Sequence, residues 1–268
     1  MKILRQISFL CAVLVPGLAQ AQSPRLSEIL DARMRSGWQT ESGTHMAALH
    51  LRLAGNWITY WRHPGESGIA PRLDWSGSHN LAGARIHWPE PRLYSKGGIA
   101  SIGYSREIVL PIELTPADPG LPFELDATLT LGVCDDICIP VDLALQLRVN
   151  DTGRPDGMIA TALTQKPRKA SSVGLVDVSC DITPEKRGMR LSATLTLPPQ
   201  GNEEFALIEM TGPPVRSSAL PSERNGDTIT GHTLFRQTPG QAIDRSAVRI
   251  SVVSENGVVQ HQGCTLTD

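Results

Sequence analysis

Aromatic residues are scarce in this chain, 4% of 268 positions, with Trp 5, Tyr 3 and Phe 4. A large excess of either charge is missing as well: 25 Lys and Arg face 27 Asp and Glu, a net charge of −2. That balance leaves no basic footprint, and a nucleic-acid partner is excluded. After the first 21 residues no apolar run reaches ~18 positions, so no later segment is expected to span a membrane. The Cys-x-x-Cys motif of thioredoxin-like proteins is absent. The seven histidines (45, 50, 63, 79, 87, 232, 261) form no ligand-spaced cluster, and no metal site is assigned. What remains is 40% hydrophobic and 19% charged, enough for a packed core. Gly 24 and Pro 20 together make about one residue in six, which favours short strands joined by turns over helical bundles.

Residues 1–21 read as a secretory signal. Lys2 and Arg5 give a basic start, Ile7 to Leu18 is apolar, and Ala19-Gln20-Ala21 is a small-x-small cleavage site. Cys11 lies inside that apolar run. Its removal leaves Cys134, Cys138, Cys180 and Cys264 in a compartment that permits disulfides. Four cysteines allow three connectivities, of which the spacing favours Cys134–Cys138 with Cys180–Cys264.

Beyond the signal the chain reads as all-β, two immunoglobulin-like sandwiches (22–150 and 173–268) joined by a polar linker (151–172). Ala47, Leu49, Leu51 and Leu53 alternate with His50 and Arg52, the pattern of a half-buried strand. Phe123–Leu131 and Val141–Val149 alternate more cleanly still. Arg106–Leu114 reads as a strand in which Pro111 marks an edge or bulge. Leu26–Trp38 fits a short helix or a strand, with strand favoured. The linker is rich in Gly, Pro, Lys and Arg, and Met158–Leu163 fits one helical turn. In the second half, alternation resumes at Met189–Leu197, with further strands expected at Phe205–Met210, Thr228–Phe235, Val248–Val253 and Val258–Leu266. All five tryptophans (38, 57, 61, 75, 88) fall in the first half, where core packing is their expected role.

Chemistry concentrates at Gly132-Val133-Cys134-Asp135-Asp136-Ile137-Cys138-Ile139-Pro140. Along a straight strand residues four apart lie ~13 Å apart, beyond the disulfide reach of about 7 Å, so pairing requires a turn. Asp135 and Asp136 are suitable turn formers. Closing a five-residue ring stabilises by only ~2 kcal/mol in the chain-entropy picture, a weak staple. Three readings stay open on spacing alone: a tied hairpin, an exchangeable redox pair, or a two-thiolate copper(I) site. Asp135 and Asp136 also place negative charge beside the thiols, which is expected to raise their pKa. By contrast, Cys180–Cys264 would close 85 residues, about 4.5 kcal/mol by the same formula, and is expected to be a structural disulfide outside any electron transfer.

The run from Trp57 to Gly68 (Trp-Ile-Thr-Tyr-Trp-Arg-His-Pro-Gly-Glu-Ser-Gly), followed by Leu73 to Ser78, resembles the amino-terminal periplasmic domain of the thiol:disulfide interchange protein DsbD family. It is most similar to the copper-sensitivity suppressor ScsB branch. Ile86–Pro91, Gly103-Tyr104, Val109–Pro111 and Cys134–Pro140 continue the likeness in order, over about residues 38 to 150. The resemblance implies a periplasmic domain whose Cys134–Cys138 pair works as a protein-disulfide reductase-like thiol:disulfide oxidoreductase. It would relay electrons to or from thioredoxin-like partners, without a cofactor. It implies a separate membrane electron donor, since neither a membrane domain nor a thioredoxin-like domain is expected within residues 22–268. The three-residue cysteine spacing is shorter than in the best-known members. By position, Tyr94 in Tyr94–Gly98 matches the loop that caps the cysteine pair. The rival functions are a two-domain binding module with inert disulfides and a copper-handling protein linked to copper tolerance.

Overall fold

Alternation of apolar and polar side chains organises both halves into sheets. The computed structural model describes residues 25–65, 68–96, 99–150, 152–186, 188–211, 216–236 and 243–266. The expected signal, 1–21, lies outside the described residues, as do Glu66, Ser67, Gly97 and Gly98 of the family-like segments. The first half carries α1 (Leu26–Ile29), β1 (Leu30–Gln39), β2 (His45–Leu53), β3 (Ile58–Gly65), β4 (Arg72–Asp74) and β5 (Leu81–Ile86). It continues through β6 (Arg92–Lys96), β7 (Ile99–Ser105), β8 (Glu107–Pro116), β9 (Phe123–Cys134) and β10 (Cys138–Val149). One sheet runs β1-β2-β8-β5; the other runs β10-β9-β3-β7-β6, with β4 also pairing β9.

Burial follows the sequence pattern where one face meets the core. Along β9, Phe123, Leu125, Ala127, Leu129 and Leu131 are buried while Glu124, Asp126 and Thr128 are exposed. The segment 26–38 proves to be both alternatives in turn, one helical turn and then strand β1. Strand β2 departs from the half-buried reading and is buried on both faces. Its second cover is α2 (Gly157–Thr164), whose Ile159 and Ala162 pack on Met46, Ala48 and Val109. Asp156 caps that helix by accepting from the Met158 and Ile159 amides, an arrangement worth about 1 kcal/mol. Arg35 of β1 holds the same carboxylate at 2.6 Å.

Pro111 causes no bulge, since the β2–β8 ladder stays in register through Ala48–Pro111, but it does mark an edge: the pairing of β8 with β5 ends at Ile86–Ile112. Its carbonyl accepts from His87 just past the end of β5, so the missing amide faces a neighbour that has already stopped.

The second half contains β11 (Arg168–Lys169), β12 (Asp177–Glu185), β13 (Gly188–Thr196), β14 (Glu204–Met210) and β15 (Arg216–Asn225). Strands β16 (Thr228–Arg236), β17 (Val248–Ser254), β18 (Gly257–Gln262) and β19 (Thr265–Leu266) complete it. Its sheets are β11-β18-β17-β14 and β15-β16-β13-β12-β19. The expected strand 258–266 is broken between β18 and β19, where Gly263 adopts a positive φ of 95°.

The segment read as a linker is ordered structure, holding α2, β11 and a 3-10 turn at Ala170–Val173. The sandwiches also share apolar surface. Phe205, Leu207, Val253 and Val258 of the second belong to the same buried cluster as Trp61, Ile102 and Leu110 of the first. Two polar ties frame this seam: Arg62 and Glu209 form a two-pronged ion pair at 2.9 and 2.6 Å, and the Glu90 carboxylate accepts from the Val258 amide.

Candidate functional site

The hairpin β9–β10 turns through Asp135, Asp136 and Ile137, and its ladder sets Cys134 directly opposite Cys138. Their Cα atoms are 4.1 Å apart and the sulfurs are bonded. The turn thus removes the ~13 Å separation that a straight strand would impose. Within the loop, the Asp135 amide donates to the Ile137 carbonyl at 3.1 Å. The two sulfurs meet different surroundings. Cys134 is 4% exposed at the end of a strand whose last four residues are all buried, whereas Cys138 is exposed. Ile137, 58% exposed, places an apolar side chain immediately before the accessible cysteine.

A tyrosine completes the site from below. Tyr60 lies on β3, which pairs with β9 through Ile58–Cys134 and Thr59–Val133. Its hydroxyl donates to the Cys134 sulfur at 2.8 Å and stands 3.5 Å from the Cys138 sulfur. Burial pushes the phenol above its usual range, while a hydrogen bond with Ser101 pulls the other way. The group therefore remains a protonated donor at neutral pH. Gly68 closes over the ring, with a φ of 115°. A Cβ there would lie 2.3 Å from two ring atoms, so no larger residue fits without moving the tyrosine. The neighbouring Ile69 carbonyl accepts from the Gly132 amide at 3.0 Å, pinning this cover to β9.

The sequence reading named Tyr94 as the shielding aromatic and gave Tyr60 no role. The hydrogen bonds to sulfur come from Tyr60. Tyr94 stands on β6 opposite Ser101, the same serine that bonds Tyr60, and its hydroxyl is buried. It therefore flanks the tyrosine–serine pair from the adjoining strand. No local sequence signal marks Tyr60, which meets the sulfur only through the pairing of β3 with β9. Asp135 and Asp136 occupy the turn, half-buried and exposed respectively.

Far along the chain, Cys180 of β12 is bonded to Cys264, with Cα atoms 5.8 Å apart. Cys180 is 1% exposed within the second core, and the parallel pairing of β12 with β19 follows directly after Cys264. Among the described residues no group of three His, Cys, Asp or Glu is placed to hold a metal ion. Among the same residues no helix is long and apolar enough to cross a membrane.

Comparison with known proteins gives two findings. The chain is similar to the crystal structure of the N-terminal periplasmic domain of ScsB from Proteus mirabilis. The TM-score is 0.57 at 24% identity, over 89% of this chain and 92% of that one, a likeness of fold. No curated protein matches the chain. Residues 28–149 match the family model described as thiol:disulfide interchange protein DsbD, N-terminal. That stretch holds β1 to β10, the Cys134–Cys138 hairpin and Tyr60, so the part of this chain that is similar to the DsbD N-terminal domain is its first domain.

Proposed function

We propose that this chain is a periplasmic thiol:disulfide exchange protein that relays electrons through Cys134–Cys138 to or from thioredoxin-like partners. Supporting this reading is the asymmetry of the disulfide, one sulfur exposed and the other buried beneath a hydroxyl donor. Exchange needs an attacking thiolate to approach one sulfur in line while the other departs. A partner thiolate attacks the Cys138 sulfur, the Cys134–Cys138 bond breaks, and Cys134 leaves as a thiolate that the Tyr60 hydroxyl stabilises. The partner's second thiolate then attacks its own sulfur in the mixed disulfide and frees Cys138. Two electrons have moved: the partner leaves as a disulfide, and both cysteines take up protons. Run backwards, the same steps reduce an oxidised client. A separate membrane protein is the proposed source of electrons, Tyr94 is proposed to shape the partner-facing rim, and Asp135 and Asp136 to raise the thiol pKa values. Cys180–Cys264 is proposed to be structural only.

Trapping tests the assignment. Cys134→Ala leaves an exposed thiol without its resolving partner and is expected to accumulate mixed disulfides with a thioredoxin-like protein. Cys138→Ala leaves only the buried thiol and is expected to accumulate far fewer. Equal trapping by both variants, or by neither, would refute the assignment.

A further inference from the structure

A cleft of about 970 Å³ opens where the two sandwiches meet the connector. Its lining is unbalanced in charge. Arg62, Arg85, Lys166, Arg168, Lys169 and Arg249 line it, against a single acidic residue, Glu209. In a chain with more Asp and Glu than Lys and Arg, six cations to one anion is not a reflection of composition. Two of the cations are already satisfied: Arg62 by Glu209, and Arg85 by Glu113 at 2.5 Å. The remaining four form no ion pair among the described residues. Among the described residues the half-buried Arg249 guanidinium makes one side-chain hydrogen bond, a long one of 3.4 Å to Gln262. Its loss of water and the nearby Arg62 charge lower its pKa, while the cross-strand Glu209 pulls the other way and is shared with Arg62, so a further anion would relieve part of the cost.

The backbone that carries the connector cations is held in place. Arg168 and Lys169 form β11, paired in parallel with Val259 and Gln260 of β18. The Gln165 carbonyl, one residue before Lys166, accepts from the Glu90 amide of the first domain at 2.7 Å. Clustered like charges destabilise a fold unless something of opposite sign neutralises them. Guanidinium and ammonium groups lining an open cleft suit phosphate or carboxylate oxygens.

We propose that this interdomain cleft is a binding site for a small multivalent anion, one carrying several phosphate or carboxylate groups. Such a ligand would bridge the connector and the second domain at a place separate from the disulfide. The proposal does not depend on the exchange function.

Titration calorimetry of the intact chain at low ionic strength tests it, using tripolyphosphate, citrate and orthophosphate as probes. Tripolyphosphate or citrate is expected to bind with one site per chain and at least about tenfold more tightly than orthophosphate, the gain expected from one further charge-assisted contact. Preference between the first two identifies the phosphate or the carboxylate class. Lys169→Glu, an exposed change on the connector, and Arg249→Gln are each expected to weaken binding by about tenfold or more. Thermal melts of both variants check that the fold is intact, and Lys169→Glu suffices if Arg249→Gln unfolds. Three results would overturn the proposal. These are no binding of either multivalent probe, binding that Lys169→Glu leaves unchanged, and binding of a poly-glutamate peptide alone, which would assign the cleft to a protein partner.

Discussion

Replacing Tyr60 by Phe removes one oxygen and leaves the ring that Gly68 and Gly132 pack against. The lost contact is the 2.8 Å hydrogen bond to the Cys134 sulfur. A hydrogen bond to a charged group contributes roughly 1.5–3 kcal/mol. If the departing sulfur carries about half a charge in the transition state, about 1 kcal/mol of that is lost from the barrier, roughly a fivefold slower exchange. In the fully formed thiolate the whole contact counts, so the Cys134 pKa is expected to rise by about 1–2 units. Because burial holds the phenol above its ordinary value, it is a neutral donor throughout the assay range, and the rate ratio should not vary between pH 6 and pH 9, conditions set for the assay rather than by the molecule. Stopped-flow reduction by a thioredoxin-like protein gives the rate, and pH-dependent alkylation of the Cys138→Ala form gives the pKa. An unchanged rate together with an unchanged Cys134 pKa would refute the leaving-group role of Tyr60.

Adding a single methyl group above the ring is expected to do more. Gly68→Ala places a Cβ 2.3 Å from ring atoms at a φ of 115°, and should both lower the melting temperature and speed alkylation of Cys134 in the reduced protein. The double variant Cys180→Ala, Cys264→Ala opens an 84-residue separation, for which the loop formula gives about 4.5 kcal/mol. Its melting temperature should fall sharply while exchange at Cys134–Cys138 stays within about twofold of the parent. Glu113, held down to about 2 chiefly by the Arg85 hydrogen bond and also by His87 and Thr44, is a depressed carboxylate. Its stabilisation is present above its ordinary value of 4.5 and is lost as pH falls toward 2. Acid titration of Glu113→Gln should therefore show a flatter stability curve than the parent across that window.

Local periodicity made the sheets legible. The run Phe123–Leu131 meets the core on one face and water on the other, so its alternation carries the answer. Strand β2 misled because its second cover, α2, arrives more than a hundred residues later and leaves no mark on residues 45–53. The cysteine pairing was readable from spacing, since a hairpin is the one local path that brings residues 134 and 138 together. Tyr60 was not readable as a site residue: it reaches the sulfur across two paired strands, from 74 positions earlier. The same holds for Arg62 and Glu209, 147 positions apart, whose meeting depends on how one sandwich rests on the other.

The apolar seam bears on how the chain reaches its native state as it is made. Trp61, Leu93 and Ala100 share a cluster with Phe205, Leu207, Val253 and Val258. During synthesis, amino end first, the earlier sandwich emerges before any of those later side chains has been added. For that interval it carries a greasy face with nothing to cover it, on the same body that bears a disulfide-forming hairpin. Such surfaces are where nascent chains associate wrongly. The molecule is thus expected to pass through a vulnerable half-built stage that ends only when its last hundred residues have folded back, and holdase chaperones should act on it then.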